Sequence, residues 1–459
     1  MVVSRGVNAQ VNVLEVDPDN RDSILKWCKQ SVERIWTYYP GEKYGETPGV
    51  IPGIYWWEAG AMFGTLIDYW WYSDDKTHEK AIQDALIHQA DKDNGWMYEP
   101  RNRTLELGND DQGYWAIAVM AAAEKRFPEV PPERGPGWLA LAQRVFEAQA
   151  GRWDEEACNG GLHWQIHSTN VGYDYKNTVS NGLYFQLAAR LARYTGNQTY
   201  AEIADKVWDW MESDRHYINS TTGAIYDGAH LPECKNIVPY EWSYNSGIVV
   251  AGAAYMWNIT GEAKWRERVE LILNHALTFF SRDDIPHLTW EYTCETNNSC
   301  DQDQRWFKGH LHRFLGLVYQ LCPFTQPMIT PKFKETARWA PKTCYGGPAG
   351  DRCGFRWWFE GGGVFDGIDG VSVESSTLEV VQSALLTVPR PNAETKPKWI
   401  YKASDGGVAS RNITELESSE KGMRKLKVIT DGQRAGAWIM TIIMVAMALG
   451  LVWFVAPNK

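Results

Sequence analysis

The sequence lacks several features that define common functional classes. It has no excess of basic residues, since 57 Asp and Glu outnumber 46 Lys and Arg and give a formal net charge of -11. Nucleic-acid-binding domains normally carry a basic face, so this balance argues against a nucleic-acid partner. None of the eight cysteines stands in a CxxC pattern, and no Cys/His cluster has the spacing of a zinc site. The sequence therefore predicts neither a metal nor a cofactor.

A hydrophobic leader is also missing at the amino terminus, where MVVSRGVNAQ contains no apolar core. The small residues around Ala9 resemble the end of a signal peptide, so we expect residues 1–14 to be such a remnant or a mispredicted start. By contrast, residues 435–456 form an uncharged tail of about 20 residues, enough to cross a membrane as a helix. Residues 389–434, before this tail, are polar and typical of a glycosylated linker.

This carboxyl-terminal arrangement has two interpretations. A folded domain, a polar stalk and a terminal apolar segment fit a GPI-anchor signal, and they also fit a single-pass transmembrane helix. The basic stretch KGMRKLK stands on the lumenal side, which conflicts with the positive-inside rule for a retained helix. We therefore favour the anchor, attached at Ser418/Ser419 or Asp431/Gly432, and expect membrane contact through it.

The cysteines and the glycosylation sequons both point to the secretory pathway. Short polar loops closed by two cysteines are typical of disulfides in secreted proteins. Such loops lie between Cys294 and Cys300 and between Cys344 and Cys353, and Cys158 with Cys234 are candidates for a third bridge. Cys28 and Cys322 lie in helical patterns, where we expect buried thiols. Six sequons support the same compartment; they begin at Asn102, Asn197, Asn219, Asn258, Asn297 and Asn412.

A loose internal repeat organises the body of the chain. Six times, a polar or aromatic cluster leads into a helix rich in Ala, Gly and aromatics, for example WWEAGAMFG from Trp56 and NDDQGYWAIAVMAAA from Asn109. Most of these helices are apolar all round, whereas the second helices that follow them show the three- and four-residue spacing of surface helices. Six inner and six outer helices predict an all-α fold, an (α/α)6 barrel at residues 15–388. The alternative is two stacked helical domains, and FRWWFE after Gly354 is the best strand candidate.

The polar clusters would meet at one end of such a ring. There the helix amino termini bring together positive dipole ends and unpaired N–H groups, which makes a polar cleft. Asp110 and Asp111 open the second inner helix at that end, directly after Gly108. One acid is explained as a helix cap and the other as a first-turn acid. Alternatively, carboxyl groups some 5 to 6 Å apart, one with a raised pKa, make an acid and a nucleophile at the same pH.

The motifs GNDDQGYWAIAVMAAAE, GLHWQI, YKNTVSNGLYFQLAARLARYTGNQTY and EWSYNSGIVVAGAA resemble glycoside hydrolase family 76, in particular its fungal cell-wall α-1,6-mannanase-like branch. The resemblance covers roughly residues 15 to 385 and includes the GPI-type tail. It implies an (α/α)6 barrel and a retaining attack on α-1,6-mannosidic bonds, with Asp110 as the nucleophile and Asp111 as the general acid/base. In the fungal branch, it also implies transfer of a GPI-glycan mannose core to wall glucan.

Several further residues near the predicted cleft are candidates for sugar binding. Large aromatic side chains stack on sugar rings, although each tryptophan also suits the core, and 24 Trp and 22 Tyr are present. Polar groups at helix starts require partners at the cleft or water. Asp227 also suits a turn, and Lys308 either meets an anionic group or neutralises a carboxylate. The candidates are Trp56, Trp57, Asn109, Trp115, Trp164, Lys176, Asn177, Asn181, Asp227, Tyr244, Asn245 and Lys308.

Together these patterns predict a retaining glycosidase or transglycosidase that acts on α-1,6-linked mannose, in mannan or a GPI-glycan core, during fungal cell-wall assembly. The substrate is then mannan or a GPI glycan, with wall glucan as a further acceptor, and we expect a monomer. We expect it at the outer face of the plasma membrane or in the cell wall; the alternative is a single-pass protein of the endomembrane system. The alternative function is a barrel that binds mannan without turnover. A prenyltransferase-like ring is disfavoured because it requires a zinc site.

Overall fold

The structure is a computed structural model that describes residues 15–213, 217–389, 400–405 and 440–441. Its helices are numbered in chain order. The inner helices are α2 (Trp56–Ser73), α4 (Asn109–Glu124), α6 (Thr178–Thr195), α8 (Ser243–Thr260), α11 (Gln304–Leu321) and α13 (Val371–Ser383). The outer helices are α1 (Arg21–Trp36), α3 (Glu79–Gln89), α5 (Trp138–Ala150), α7 (Gln198–Glu212), α9 (Ala263–Ala276) and α12 (Gln326–Trp339), and α10 (Tyr292–Glu295) is a single turn.

The alternation of inner and outer helices follows from their side chains. Nearly every residue of α4 and α8 is buried, because small Ala and Gly side chains let neighbouring helices approach on all sides. The outer helix α7 instead buries one stripe, which includes Val207 and Trp208, and exposes the opposite face. Gly196 ends α6 with φ +75°, a conformation that favours glycine, and Asn197 then caps α7 by accepting from the Thr199 N–H.

The inner helices close into a ring. Each packs against the next one along the chain, and α13 returns to pack against α2. The first outer helix, α1, packs on α13 and α2 and so covers the point of closure. This arrangement confirms the predicted (α/α)6 barrel. The alternative of two stacked domains does not hold, since the described residues from 15 to 405 belong to one compact unit.

A small antiparallel sheet lies at the rim of the barrel. Its strands are β1 (Tyr175–Asn177), β2 (Tyr226–His230) and β3 (Ile237–Glu241), in the order β1-β2-β3. The predicted strand in FRWWFE was wrong, because that stretch forms turns and a short 3-10 segment. Strands of three to five residues carry too little alternation to be recognised in a sequence. Here the strands form because β1 leads directly into α6 and β2 pairs with β1.

Three disulfides stabilise the connecting loops. The bridges Cys294–Cys300 and Cys344–Cys353 close short loops as predicted, and Cys158–Cys234 joins segments that are 76 residues apart. The remaining two cysteines are buried thiols in helical surroundings, as expected.

Part of the predicted linker belongs to the barrel. Ile400 is buried, the Tyr401 N–H donates to the Glu124 carbonyl at 2.8 Å, and Arg193 donates to the Ile400 carbonyl at 3.2 Å. Glu124 is the last residue of α4. Residues 400–405 therefore lie at the end of the barrel opposite to the amino termini of the inner helices.

Several predictions fall on residues that the structure does not describe. Residues 1–14, the sequon at Asn412 and the proposed attachment sites lie outside the described ranges, as does the tail 435–456 apart from residues 440–441. Within the described ranges, no helix combines the length and the apolar character needed to cross a bilayer. Of the described sequons, Asn258 is half-buried, and its amide bonds to Arg193 and to the Leu321 carbonyl. That sequon lies in the last turn of α8 and faces the barrel, which disfavours glycosylation there.

Candidate active site

A cavity of about 780 Å³ opens at the end of the barrel where the inner helices begin. Five of the inner helices contribute residues from their first turns or from the position just before them, namely α2, α4, α6, α8 and α11. The predicted convergence of polar helix starts is therefore confirmed. The lining residues are Ile54, Tyr55, Trp57, Arg103, Glu106, Asp110, Asp111, Tyr114, Trp164, Gln165, Tyr175, Asn177, Val179, Asp227, Tyr244, Asp303 and Phe307.

Asp110 and Asp111 stand side by side in the wall of this cavity, and both are half-buried. One Asp111 carboxylate oxygen accepts from the Gly108 N–H at 2.8 Å, and one Asp110 oxygen accepts from the Asp111 N–H at 3.0 Å. The Asn177 amide approaches the other Asp110 oxygen at 3.5 Å. These contacts to N–H groups at a helix start favour a negative charge on Asp110.

Gly108 is required by this arrangement. A Cβ at this position would stand 2.1 Å from an Asp110 oxygen and 2.6 Å from an Asp111 oxygen, closer than any real contact. Both oxygens therefore lie over the same glycine, less than about 5 Å from each other, which is slightly closer than the 5 to 6 Å expected from the helix geometry. The physical reason is that two carboxyl groups in a partly buried site share one proton more easily than they bear two charges.

The two acids differ in how strongly they hold a proton. Burial raises the pKa of Asp110 to about 6. The N–H groups of the helix start and the Asn177 amide lower this pKa and so limit the rise. Burial and the charge of Asp110 raise the pKa of Asp111 well above its usual range, and the charge of Asp303 adds to this. As the pH rises, Asp110 therefore ionises first, and Asp111 keeps its proton to a higher pH. An acid and a nucleophile are then present at the same pH.

Two further carboxyl groups face the same cavity. Asp303, directly before α11, accepts from the Trp57 indole N–H at 3.2 Å, and burial raises the pKa of Asp303 to about 6. Asp227, on β2, accepts from the Tyr175 hydroxyl at 2.5 Å, and burial raises its pKa as well. Carboxyl groups that line a cavity and keep free lone pairs are suited to binding sugar hydroxyls.

The structure brings some of the predicted sugar-binding residues to the cavity. Trp57 is half-buried in its wall, and the Tyr244 ring stacks on Phe307 with centroids 3.9 Å apart. Trp164 is 36% exposed. Its loop is held against the start of α4, because the Trp164 carbonyl accepts from the Asn109 N–H at 2.8 Å. The predicted candidates in the lining are Trp57, Trp164, Asn177, Asp227 and Tyr244, together with the paired aspartates.

The other candidates are buried and do not line the cavity. Successive residues in a first helical turn point about 100° apart, and only some of them face the ring axis. Most of the remaining side chains bond to neighbouring elements, whereas the Asn245 amide has no hydrogen-bond partner within the described residues. The residues concerned are Trp56, Asn109, Trp115, Lys176, Asn181, Asn245 and Lys308.

The contacts of these buried residues show structural roles. The Trp56 indole donates to Gln89 at 2.7 Å and packs on Trp115. The Lys176 ammonium donates to Asp154 at 3.1 Å and to two carbonyls, and Lys308 donates to Glu295 at 2.7 Å. For Lys308, this is the neutralised carboxylate considered as an alternative.

Three of these buried residues have amide side chains. Asn109 donates to the His163 carbonyl at 2.9 Å and accepts from Arg152, and Asn181 donates to the Leu162 carbonyl at 3.0 Å. Both amides therefore hold the loop that carries Trp164. Asn245 is fully buried. Amides of this kind are indistinguishable in sequence from ligand-binding ones, because both occur at helix starts.

Sequence reasoning missed several residues of the lining. Asp303 stands directly before Gln304, where α11 begins, so an acid at a helix start was the available signal. Tyr114 lines the cavity, and its buried hydroxyl has no hydrogen-bond partner within the described residues. Arg103 comes from a loop between α3 and α4 that no periodicity marks.

Comparisons with known proteins place this architecture in a family. Residues 23–396 match the sequence model of glycosyl hydrolase family 76. The chain is 42% identical over 450 residues to the mannan endo-1,6-alpha-mannosidase DCW1 of Saccharomyces cerevisiae, with 96% of each chain covered. It is 40% identical to the mannan endo-1,6-alpha-mannosidase DFG5 of Candida albicans, with 97% of this chain and 96% of that protein covered.

Solved structures agree with these sequence relationships. The crystal structure of Dfg5 from Chaetomium thermophilum in complex with glucosamine superposes with a TM-score of 0.76 at 39% identity, over 86% of this chain and 98% of that one. An inactive variant of the α-1,6-mannanase of Salegentibacter sp., in complex with α-1,6-mannotriose, shares the fold with a TM-score of 0.60 at 16% identity, over 79% and 99% of the chains. The chain belongs to glycosyl hydrolase family 76 and is a glycoside hydrolase similar to the fungal mannan endo-1,6-alpha-mannosidases.

Proposed function

We propose that this protein cleaves α-1,6-linked mannose with retention of anomeric configuration, through a glycosyl-enzyme intermediate on Asp110. The observation that carries the proposal is the closeness of the two carboxyl groups in the cavity wall, since one oxygen of Asp110 and one of Asp111 lie over the same glycine, Gly108. Inverting glycosidases keep their two carboxyl groups roughly 6.5–9.5 Å apart to admit a water molecule between acid and base. The nearer oxygens of Asp110 and Asp111 are less than about 5 Å apart, which is short of that separation and favours the two-step route.

In the first step, the Asp110 carboxylate attacks the anomeric carbon of mannose, and the bond from that carbon to the glycosidic oxygen breaks. Asp111 donates its proton to the departing oxygen, so that the leaving sugar departs as an alcohol. In the second step, Asp111, now ionised, accepts a proton from the attacking hydroxyl. This hydroxyl displaces Asp110, which restores the carboxylate and returns the proton to Asp111.

The identity of the attacking hydroxyl decides between hydrolysis and transfer. Water gives hydrolysis, whereas a sugar hydroxyl gives a new glycosidic bond. We propose that the donor is mannan or the mannose core of a GPI glycan, and that wall glucan acts as the acceptor during fungal cell-wall assembly. The cavity volume of about 780 Å³ accommodates more than one sugar ring, which a donor and an acceptor both require.

A single incubation series tests these steps. The protein is mixed with α-1,6-mannotriose, with and without a β-glucan oligosaccharide, and the products are followed by proton NMR and mass spectrometry. We expect the α-anomer to appear first, together with a mannosylated glucan in the second arm. Initial release of the β-anomer contradicts retention. If the trisaccharide is bound but remains intact in both arms, the protein is a mannan-binding barrel without turnover.

We also propose that the hydrophobic tail 435–456 directs attachment of a GPI anchor at the outer face of the plasma membrane or in the cell wall. The basic stretch KGMRKLK before the tail supports this, because it disfavours a retained helix. Treatment of intact cells with a phosphatidylinositol-specific phospholipase is expected to release the protein into the medium. Retention in the membrane pellet after treatment supports the single-pass helix instead.

A further inference from the structure

A second cavity, of about 610 Å³, lies beside the catalytic one. Arg103 lines both of them. The loop between α1 and α2 lines both cavities, since Thr47 and Val50 face the second cavity whereas Ile54 and Tyr55 face the first. The loop between α3 and α4 also lines both, through Arg103. A glycan longer than the catalytic cavity therefore meets the second cavity as its next surface.

The two cavities carry opposite charge. Arg103 is the one Lys or Arg among the lining residues of the catalytic cavity, which also holds five carboxyl groups. The lining of the second cavity holds four cations against two carboxyl groups, at Asp91 and Asp93. The four cations are Lys92, Arg101, Arg103 and Arg134. In a chain of net charge -11, this concentration of arginine runs against the overall balance.

The arginines keep hydrogen-bond donors for a ligand. Arg101 donates to the Asp93 carbonyl at 2.7 Å and lies 3.7 Å from Asp91, yet its side chain is 67% exposed. Arg134 contacts Asp84 at 2.6 Å and Arg103 contacts Glu106 at 3.3 Å. A guanidinium has five N–H donors in a planar fork, so each of these contacts leaves further donors for a planar or tetrahedral anion.

An aromatic ring stands next to these cations. Trp96 lines the second cavity with a backbone φ of +62°, a conformation that is rare for residues other than glycine. The Trp96 backbone N–H donates to the Asp91 carbonyl at 2.8 Å, and the Trp96 ring packs over Gly135. An aromatic face beside arginine is the combination that recognises a sugar bearing an anionic group.

We propose that the second cavity binds the phosphate group of a phosphorylated mannose oligosaccharide whose neighbouring mannose units occupy the catalytic cavity. This inference rests on the proposed function, because it extends the same substrate beyond Arg103. The acidic catalytic cavity repels a phosphate, whereas the arginine-rich cavity attracts it, and so the charge pattern also sets the position of the phosphate along the glycan.

The test compares three forms of α-1,6-mannotriose: the neutral trisaccharide and two isomers that carry a 6-phosphate on the non-reducing or on the central mannose. We measure kcat/KM for each with the whole protein, in its native form and with N102Q, since the sequon at Asn102 also lines the second cavity. We expect one phosphorylated isomer to exceed the neutral trisaccharide about fivefold or more, an effect typical of a charge-assisted hydrogen bond. The preference should shrink in 0.5 M NaCl because salt screens exposed charges.

Matched arginine variants locate the effect. In R101Q/R134Q, the ratio of phosphorylated to neutral kcat/KM should fall towards one. In R266Q, which removes an exposed arginine of α9 that pairs with Glu270, the ratio should stay at the native value. The inference is overturned if the neutral trisaccharide is cleaved and neither isomer is preferred, or if R101Q/R134Q keeps the preference. If the neutral trisaccharide is not cleaved, the proposed function fails instead, and the ratio of Kd values measured by calorimetry still decides on the phosphate site.

Discussion

At the scale of single residues, the chemistry depends on one proton shared by two neighbouring carboxyl groups. Both carboxyl groups accept from a backbone N–H, but Asp110 also has the Asn177 amide beside it, whereas Asp111 has the negative charge of Asp110. Identical side chains therefore acquire different proton affinities from their surroundings alone. The titration of such a pair belongs to both groups together.

This division predicts the pH dependence of kcat/KM for α-1,6-mannotriose. Because Asp110 must be ionised to attack, activity should fall as the pH drops below about 6, the value to which burial raises its pKa. Because Asp111 must hold a proton, activity should fall again as the pH rises through its raised pKa. A bell-shaped profile measured from pH 3 to 10 checks both limbs, and a profile that stays flat below pH 6 contradicts the role of Asp110.

Asp303 provides a test of what sets the alkaline limb. Its charge contributes to the raised pKa of Asp111, so the D303N variant should move that limb to lower pH. The control is D205N, which removes an exposed carboxylate of α7 that pairs with Lys264 and should leave the profile unchanged. An identical profile in D303N and D205N would mean that Asp303 does not influence the acid.

Leaving groups of different acidity separate the two catalytic roles. The D110N variant should lose at least about 10³-fold in kcat on every substrate, because the nucleophile is gone. The D111N variant should lose about 10²-fold on mannotriose, yet much less in the first step with a dinitrophenyl mannoside, whose leaving group needs no proton. Burst kinetics with the aryl substrate measure this step. Equal losses on both substrates in D111N would exclude Asp111 as the general acid.

At the scale of elements, the position of the pair depends on how α4 begins. Gly108 precedes the helix with φ -95°, a backbone conformation that any residue adopts. Glycine is needed there because a larger side chain would collide with the carboxyl oxygens above it. The helix start supplies the N–H groups, and the glycine lets both carboxyl groups fold over it. A substitution at this position therefore separates an effect on catalysis from an effect on the backbone.

We predict that G108A lowers kcat about 10²-fold, the cost typical of a displacement near 1 Å in a catalytic group. The added methyl would stand 2.1 Å from an Asp110 oxygen, and that side chain must move. The matched control is G151A at the end of α5, where φ is -70° and a Cβ meets only ordinary contacts beyond 3.4 Å. Thermal unfolding should show both variants folded, and unchanged turnover in G108A would contradict the close packing of the pair.

At the scale of the whole molecule, the ring of inner helices fixes the site and the disulfides fix the loops around it. Cys158–Cys234 joins the loop before β1 to the turn between β2 and β3. It therefore ties together the chain segments on either side of Tyr175 and Asp227. Cys294–Cys300 closes a small loop before α11.

Removal of these two bridges should affect stability unequally. By loop-closure entropy, C158S/C234S should lower the free energy of unfolding by roughly 4 kcal/mol and C294S/C300S by roughly 2 kcal/mol, because the first loop is much longer. Urea unfolding followed by tryptophan fluorescence measures both. Equal losses would show that native-state strain rather than loop length sets the contribution of each bridge.

The sequence by itself determined the helical repeat, the start of α4 at the paired aspartates and the two disulfides that close short loops. These features are local: apolar periodicity, acids at a helix start and cysteines around short loops act through near neighbours in the chain. The bounds of the inner helices accordingly fall within a few residues of the predicted clusters.

Only the tertiary structure decided which polar residues face the cavity. Lys176 and Asn177 are neighbours in sequence, yet one bonds to Asp154 in the interior and the other approaches Asp110. Asp303 comes near Asp111 only because α11 and α4 belong to one closed ring. A sequence specifies the turn on which a side chain sits, but its direction relative to the ring axis depends on the rotation of each helix, which packing against both neighbours sets.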